Sequence, residues 1–235
     1  MKRRGVDFIK PYDSLPRAAY FELLHAARDA GLPVSGHIPM SVSVVEGLQA
    51  GQSSVEHAKH PLIDCSRYSA TFHATFASWA AGESSSIYAN WADAPGATNL
   101  GSYYQPILAN FDQALCDRVI QDIVATKAHY VPTLITRRFE ALADRESFLA
   151  DRRIHTVPRS LRDGWEKDSA GYRRRFGESP REKQAYLDLY EHAVQLVGRM
   201  HAAGVPVLVG TDAPDSYCFP GSGIVDEMRE LAGRP

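Results

Sequence analysis

Cysteine is scarce in this sequence: Cys65, Cys116 and Cys218 lie far apart and in no metal-binding spacing. A sparse, odd count gives no disulfide framework, so stability is expected from packing. Charge of one sign is not in excess, since 26 Lys and Arg face 28 Asp and Glu for a formal net charge of -2. No global field would draw the chain to nucleic acid. No apolar run approaches the roughly 18–20 residues of a membrane-spanning helix, so no membrane association is expected. The chain has no G-x-G-x-x-G, no Walker A pattern and no G-x-S-x-G elbow, which argues against nucleotide-loop and serine-nucleophile chemistry. Met1-Lys2-Arg3-Arg4 is basic like the start of a signal peptide, but Gly5-Val6-Asp7-Phe8-Ile9-Lys10 is too short and polar to continue one.

What the chain does have is ordinary for a globular enzyme. It is 44% hydrophobic, 10% aromatic and 23% charged over 235 residues, enough to bury a sizeable core. The order of its elements is more informative. Val6-Asp7-Phe8-Ile9-Lys10 reads as a buried strand ended by Pro11. A helix follows, with Asp13 or Ser14 as N-cap, Tyr20, Leu23, Leu24 and Ala27 along one face, and Gly31 at its end. Pro33 to His37 is the next strand. Ser43 and Glu46 form a capping box for a second helix that closes at Gly51, and Ser53 to His57 is a further strand.

The pattern returns later. A helix over roughly Asp112 to Lys127 precedes a strand near Tyr130 to Ile135. Tyr186, Tyr190, Ala193, Val197 and Met200 mark a long helix closed by Gly204, and Val205 to Asp212 is the clearest strand of all. Ala30-Gly31-Leu32-Pro33-Val34 and Ala203-Gly204-Val205-Pro206-Val207 are nearly identical. Alternating helices and apolar strands predict an α/β fold with a parallel sheet, either doubly wound or a (β/α)8 barrel. Two long intervals interrupt it. Residues 66–110 are rich in small and aromatic residues, including Trp79, Trp91, Tyr103 and Tyr104; residues 137–184 are dense in Arg and acids. Both are expected to carry their own helices, the second with mostly solvated charges.

In either architecture the C-terminal strand ends carry the chemistry. Lys10, His37, His57 and Asp212 each occupy that place in a βα unit. Imidazole and carboxylate suit Zn²⁺ and similar ions. A lysine desolvated beside metal ions loses its proton more readily and can then add carbon dioxide to become an anionic carbamate. Taken singly, His37 would be a hydrogen-bonded structural histidine, Asp212 a turn cap and Lys10 a surface lysine. Their joint placement favours a metal site. The other seven histidines, His25, His60, His73, His129, His155, His192 and His201, have no such place.

Gly5 to Lys10, Gly36-His37-Ile38-Pro39, Val55-Glu56-His57 and Gly210-Thr211-Asp212, in this order, resemble the amidohydrolase superfamily. The similarity is to its imidazolonepropionase-like and prolidase-like metal-dependent hydrolases. Tyr217-Cys218-Phe219-Pro220-Gly221 and the stretch from Leu15-Pro16-Arg17 to Gly51-Gln52 share it. The similarity is dense over 5–60 and 204–231 and thin across both intervals.

The resemblance implies a (β/α)8 barrel in which this chain supplies about strands 4–8, as one incomplete domain over 1–235 with insertions at about 66–110 and 137–184. It implies Lys10 as the carboxylated lysine bridging two metals, His37 and His57 as ligands of the second metal, and Asp212 as ligand and general acid–base. It implies hydrolysis of amide-type C–N bonds, peptide or lactam-like, by metal-activated water, with a small-molecule or dipeptide-like substrate. Tyr217 and Phe219 are expected near that substrate.

The family's His-x-His strand is absent from the sequence, so strands one to three are expected to be missing. A divalent metal, one zinc ion or two, is expected; the full binuclear site would need the missing His-x-His, and the chain would be weakly active or inactive alone. A missing N-terminus would also remove any signal peptide, which leaves the compartment open. The competing expectation is a non-catalytic remnant or interaction protein that keeps barrel geometry. An unrelated phosphate-binding α/β enzyme is disfavoured by the lack of a glycine-rich loop.

Overall fold

The computed structural model describes residues 5–78, 80 and 100–233. The basic start Met1-Lys2-Arg3-Arg4, Trp79 and Trp91 lie outside these residues.

Five parallel segments follow one another in chain order. Ile9 bridges Val34, β1 (Ser35–Gly36) pairs with β2 (Ser54–Glu56), β2 pairs with β3 (His129–Val131), and Tyr130 bridges Val207. The outer segments are held by Ile9 N donating to Pro33 O at 3.0 Å and Leu208 N donating to Tyr130 O at 2.8 Å. The α/β class with a parallel sheet therefore holds. No pairing joins the Ile9 and Val207 ends among the described residues, so the ladder is open.

Strands are shorter than the apolar runs predicted. The largest difference is at Val205 to Asp212, where only a bridge forms. Val205 is buried, but Leu208 and Val209 are 47% and 41% exposed at the free edge of the ladder. With strands one to three missing, this strand is the edge of the sheet, and an edge has one neighbour to satisfy its backbone.

Helices make each crossover, as parallel strands require. They are α1 (Arg17–Asp29), α2 (Val44–Gln49), α3 (Lys59–Asp64), α4 (Ser69–Ser78), α5 (Leu100–Ala109) and α6 (Gln113–Thr126). After β3 come α7 (Leu134–Leu142), α8 (Glu146–Leu149), a 3-10 turn (Arg152–Thr156), α9 (Arg159–Glu178) and α10 (Pro180–Ala202). α11 (Gly223–Leu231) closes the described chain. Both long intervals thus contain helices, as their length predicted.

Three helices hand over to strands through the same device. Gly31, Gly51 and Gly204 adopt φ of 63°, 107° and 98°. Just beyond each, Leu32, Gln52 and Val205 donate to the carbonyls of Ala27, Gly47 and Met200 at 2.9, 3.2 and 3.0 Å. This is the left-handed C-terminal cap that favours glycine. The Ser43–Glu46 capping box forms as read. The N-cap of α1 differs: Pro16 occupies it without a side-chain bond, and Asp13 is buried elsewhere.

The main core joins Tyr20, Leu24 and Ala27 of α1, Val34, Val55 and Tyr130 of the sheet, and Val119 to Ile123 of α6 with Tyr186 to Met200 of α10. A second cluster holds Phe139, Ala143, Ile154, Val157, Trp165, Tyr217 and Phe219. Cys65 and Cys116 form a disulfide across 51 residues of sequence, which corrects the expectation of none. The pairing is tertiary: α3 and α6 pack together, and Asp112 N donates to Cys65 O at 2.9 Å.

Candidate metal centre

The strand ends bring Lys10, Asp13, His37, Glu56, His57, Thr133 and Asp212 to one rim. His37 sits one residue past β1, Glu56 is the last residue of β2, and His57 follows it. His57 N donates to Val131 O at 2.9 Å, which continues the β2–β3 ladder to the site. Gln52, buried behind β1 and β2, donates to Gly36 O at 2.9 Å and Ser54 O at 2.7 Å and accepts from the Tyr20 hydroxyl at 2.7 Å. It fixes the spacing of the two histidine-bearing strands. Gly36 is needed there because a Cβ would lie 2.9 Å from Lys10 Cγ and 3.0 Å from Pro11 O.

The two imidazoles meet edge to face. Their Nε2 atoms lie 2.7 Å apart, one ring donating and the other accepting. One ligand atom from each of His37, Glu56 and His57 falls within 4.8 Å of the others. The far nitrogens are tied outward: His57 Nδ1 lies 2.8 Å from Thr133 Oγ1, and His37 Nδ1 lies 3.6 Å from Asp13 Oδ2. Histidines that bind metals have this arrangement, one nitrogen on the ion and the other held by an oxygen that sets tautomer and orientation. Burial lowers the His57 pKa well below the usual imidazole value, helped by the charges of His37, Lys59, Arg137 and Lys10. A neutral ring with a lone pair is the form a cation needs.

The backbone is strained here. His57, Thr133 and Asp212 have φ of 68°, 47° and 53°, a region that costs a non-glycine residue about 1–3 kcal/mol. Surrounding structure holds them. Glu227, fully buried on α11, accepts from Leu134 N and Ile135 N, both at 2.9 Å. That anchors the start of α7 just beyond Thr133. Burial raises the Glu227 pKa to about 7, against the lowering effect of those two donors.

Of the residues singled out in the sequence, His37 and His57 come together. Lys10 Nζ is 2.9 Å from Glu56 Oε2 with its side chain 47% exposed. Asp212 Oδ2 is 3.8 Å from His57 Nδ1, on the far side of the ring from His37. Tyr217 and Phe219 are buried in the second cluster. Tyr217 stacks on Phe139 with centroids 5.2 Å apart, and Phe219 meets Trp165 edge-on at 5.2 Å. Sequence reasoning assigned no role to Glu56, although it adjoins His57, and read Asp13 as a helix cap. Thr133 and Glu227 carried no sequence signal of their own.

No family model matches the chain, and no curated protein does. Among solved structures it is similar to AH, described as a bottromycin amidohydrolase, with a TM-score of 0.58 and 21% identity over 97% of this chain. The likeness is one of fold. The chain spans 42% of the length of that structure.

Proposed function

We propose that this chain carries the metal centre of a hydrolase for amide-type C–N bonds, acting on a small, dipeptide-like or lactam-like substrate. The observation that carries the reading is the convergence of the His37 and His57 Nε2 atoms beside Glu56 at the C-terminal ends of adjacent parallel strands. In this reading the open ladder is the strand 4–8 sector of a (β/α)8 barrel of the amidohydrolase kind, in its imidazolonepropionase-like or prolidase-like branch. The sequence motifs and the fold likeness support it.

Two imidazoles and one carboxylate fit a catalytic zinc site with a position left open. Bound there, the ion supplies a Lewis acid that acidifies water and polarises a carbonyl. The chain's residues do the rest. Thr133 and Asp13 hold the two rings so that both Nε2 atoms face the same point. Asp212, partly exposed beside His57, takes the proton from water as it adds to the carbonyl carbon. It returns that proton to the nitrogen as the C–N bond breaks. The Lys10 ammonium neutralises Glu56; a carbamate at Lys10 would set two anions against each other. The site is therefore read as holding one ion.

Equilibrium dialysis against Zn²⁺ with metal analysis, followed by assays on N-acyl dipeptides and lactams, tests this. One zinc per chain and at most weak amide hydrolysis are expected, with both lost in His37→Ala. A wild-type chain that retains no metal would sink the reading.

A further inference from the structure

The start of α7 departs from the usual arrangement of a helix N-terminus. Its N-cap is Thr133, a residue type whose hydroxyl oxygen ordinarily accepts from the second or third backbone N–H of the helix. Here it does not. Thr133 has φ 47° and ψ 50° in place of the extended N-cap conformation, and its side chain makes no capping bond. The hydroxyl is turned to His57 instead, with Oγ1 2.8 Å from Nδ1. That leaves the first-turn N–H groups of α7 without their local acceptor, a costly state for buried donors. Leu134 and Ile135 are both buried. Their N–H groups go to one carboxylate from a distant helix, Glu227 of α11, each at 2.9 Å.

α11 carries its polarity inverted. Asp226, Glu227 and Glu230 are buried, while Ile224, Val225 and Met228 are exposed. The buried acids hold different parts of the molecule. Asp226 accepts from Arg153 of the 3-10 turn at 2.6 Å, and Glu230 accepts from the Tyr190 hydroxyl of α10. Glu227 takes the N-terminus of α7, where a negative charge also meets the positive end of the helix dipole. A carboxylate this buried is costly in itself, and the two backbone donors are what offset that cost.

We propose that Glu227 is a positioning residue of the metal centre: by capping α7 in place of Thr133, it frees the Thr133 hydroxyl to hold His57. Without Glu227, the Ile135 N–H is an open donor two residues from Thr133, and the hydroxyl turns back to accept from it. His57 then loses the oxygen that fixes its ring. The proposal rests on the metal reading of the histidine pair, while the ring of His57 reports on it without metal.

The full chain is compared with Glu227→Met, Glu230→Met, Thr133→Val and the variant carrying both Glu227→Met and Thr133→Val. Work at pH 8 keeps Glu227 ionised, since burial raises its pKa to about 7. Met keeps the length of Glu and removes both acceptors. Glu227→Gln keeps one acceptor and is read in its place, with a smaller loss in the same direction, should Glu227→Met not fold. Two quantities are measured: zinc affinity by competition with a chelator, and the Nδ1 nitrogen resonance of His57 in the metal-free chain. Glu227→Met is expected to weaken zinc binding about tenfold, as Thr133→Val does, and the double variant no further. Glu230→Met is expected to lower stability and leave affinity within about twofold. The Nδ1 resonance is expected to move alike in Glu227→Met and Thr133→Val and to stay in place in Glu230→Met. Unchanged affinity and resonance in Glu227→Met overturn the proposal. So do losses that multiply to about 100-fold in the double variant, because Glu227 would then act by a route other than Thr133. An equal loss in Glu230→Met overturns it as well. A wild-type chain that holds no zinc ends the metal reading, and the Nδ1 resonance still decides the role of Glu227.

Discussion

Two pairs of histidines lie close together in the chain and are wired in opposite ways. His37 and His57 turn their Nε2 atoms toward each other at 2.7 Å and anchor their other nitrogens outward. His60 and His73 stack with centroids 6.3 Å apart, and three of their four nitrogens face fixed partners. His73 Nε2 contacts Asp64 at 2.7 Å, His73 Nδ1 contacts Met40 O at 2.6 Å, and His60 Nε2 faces Val42 O at 3.4 Å. The second pair pins the loop after β1 to α3 and α4. Both pairs have two imidazoles, and three of the four rings are buried. What separates a candidate metal centre from a structural clasp is whether the lone pairs share a target.

Matched substitutions would break this comparison most sharply. His57→Ala is expected to weaken zinc binding by more than about 100-fold, while His73→Ala leaves it unchanged and lowers stability. Equal zinc loss in both variants would erase the distinction.

Acid titration comes next in size. Burial, reinforced by the charges of His73 and Lys59 against the opposing charge of Asp64, takes the His60 pKa down to about 4 from an ordinary 6.5. The unfolded chain takes up that proton below about 6.5, and the folded chain resists until about 4. The folded state therefore loses up to about 3 kcal/mol from this group as pH falls through that window. His73 works in the other direction. Burial disfavours its charge, but the Asp64 hydrogen bond and charge and the Met40 carbonyl outweigh it, so its pKa is raised. Its stabilising share is present at low pH and lost as pH rises through the folded value. Urea melts from pH 7 to pH 4 should show a shallower acid loss in His60→Leu than in wild type, and identical slopes would contradict this.

The smallest effect concerns how the first pair is held. Thr133→Val removes the oxygen at His57 Nδ1 while keeping the shape. About tenfold weaker zinc affinity is expected, measured by competition with a chelator. No change would mean that Asp212 alone orients the ring.

Much of this was legible in advance, and what was not has physical causes. His37 and His57 could be placed because helix, glycine and apolar strand recur in order, and strand ends face one rim. Glu56 was hidden by the rule that successive strand residues point to opposite faces. The positive φ of His57 breaks that alternation and turns Glu56 and His57 to the same site. Asp13 looked like a cap because acids before helices usually are, yet Pro16 takes that place and frees Asp13 to lie beside His37. The Cys65–Cys116 bond has no local pattern, since only the packing of α3 against α6 brings the two together.

The glycine caps at Gly31, Gly51 and Gly204 divide the molecule into a rigid end and a permissive one. Each cap delivers its strand in a set phase, and side chains along a strand alternate every residue. One residue added between Gly31 and His37 would turn His37 toward the helices and leave His57 without its partner. The same addition beyond a strand's C-terminal end would lengthen a loop and leave the phase intact. Divergence of substrate choice in chains built this way is thus expected to accumulate as insertions on the chemical side of the sheet, while the spans from cap to strand keep their length.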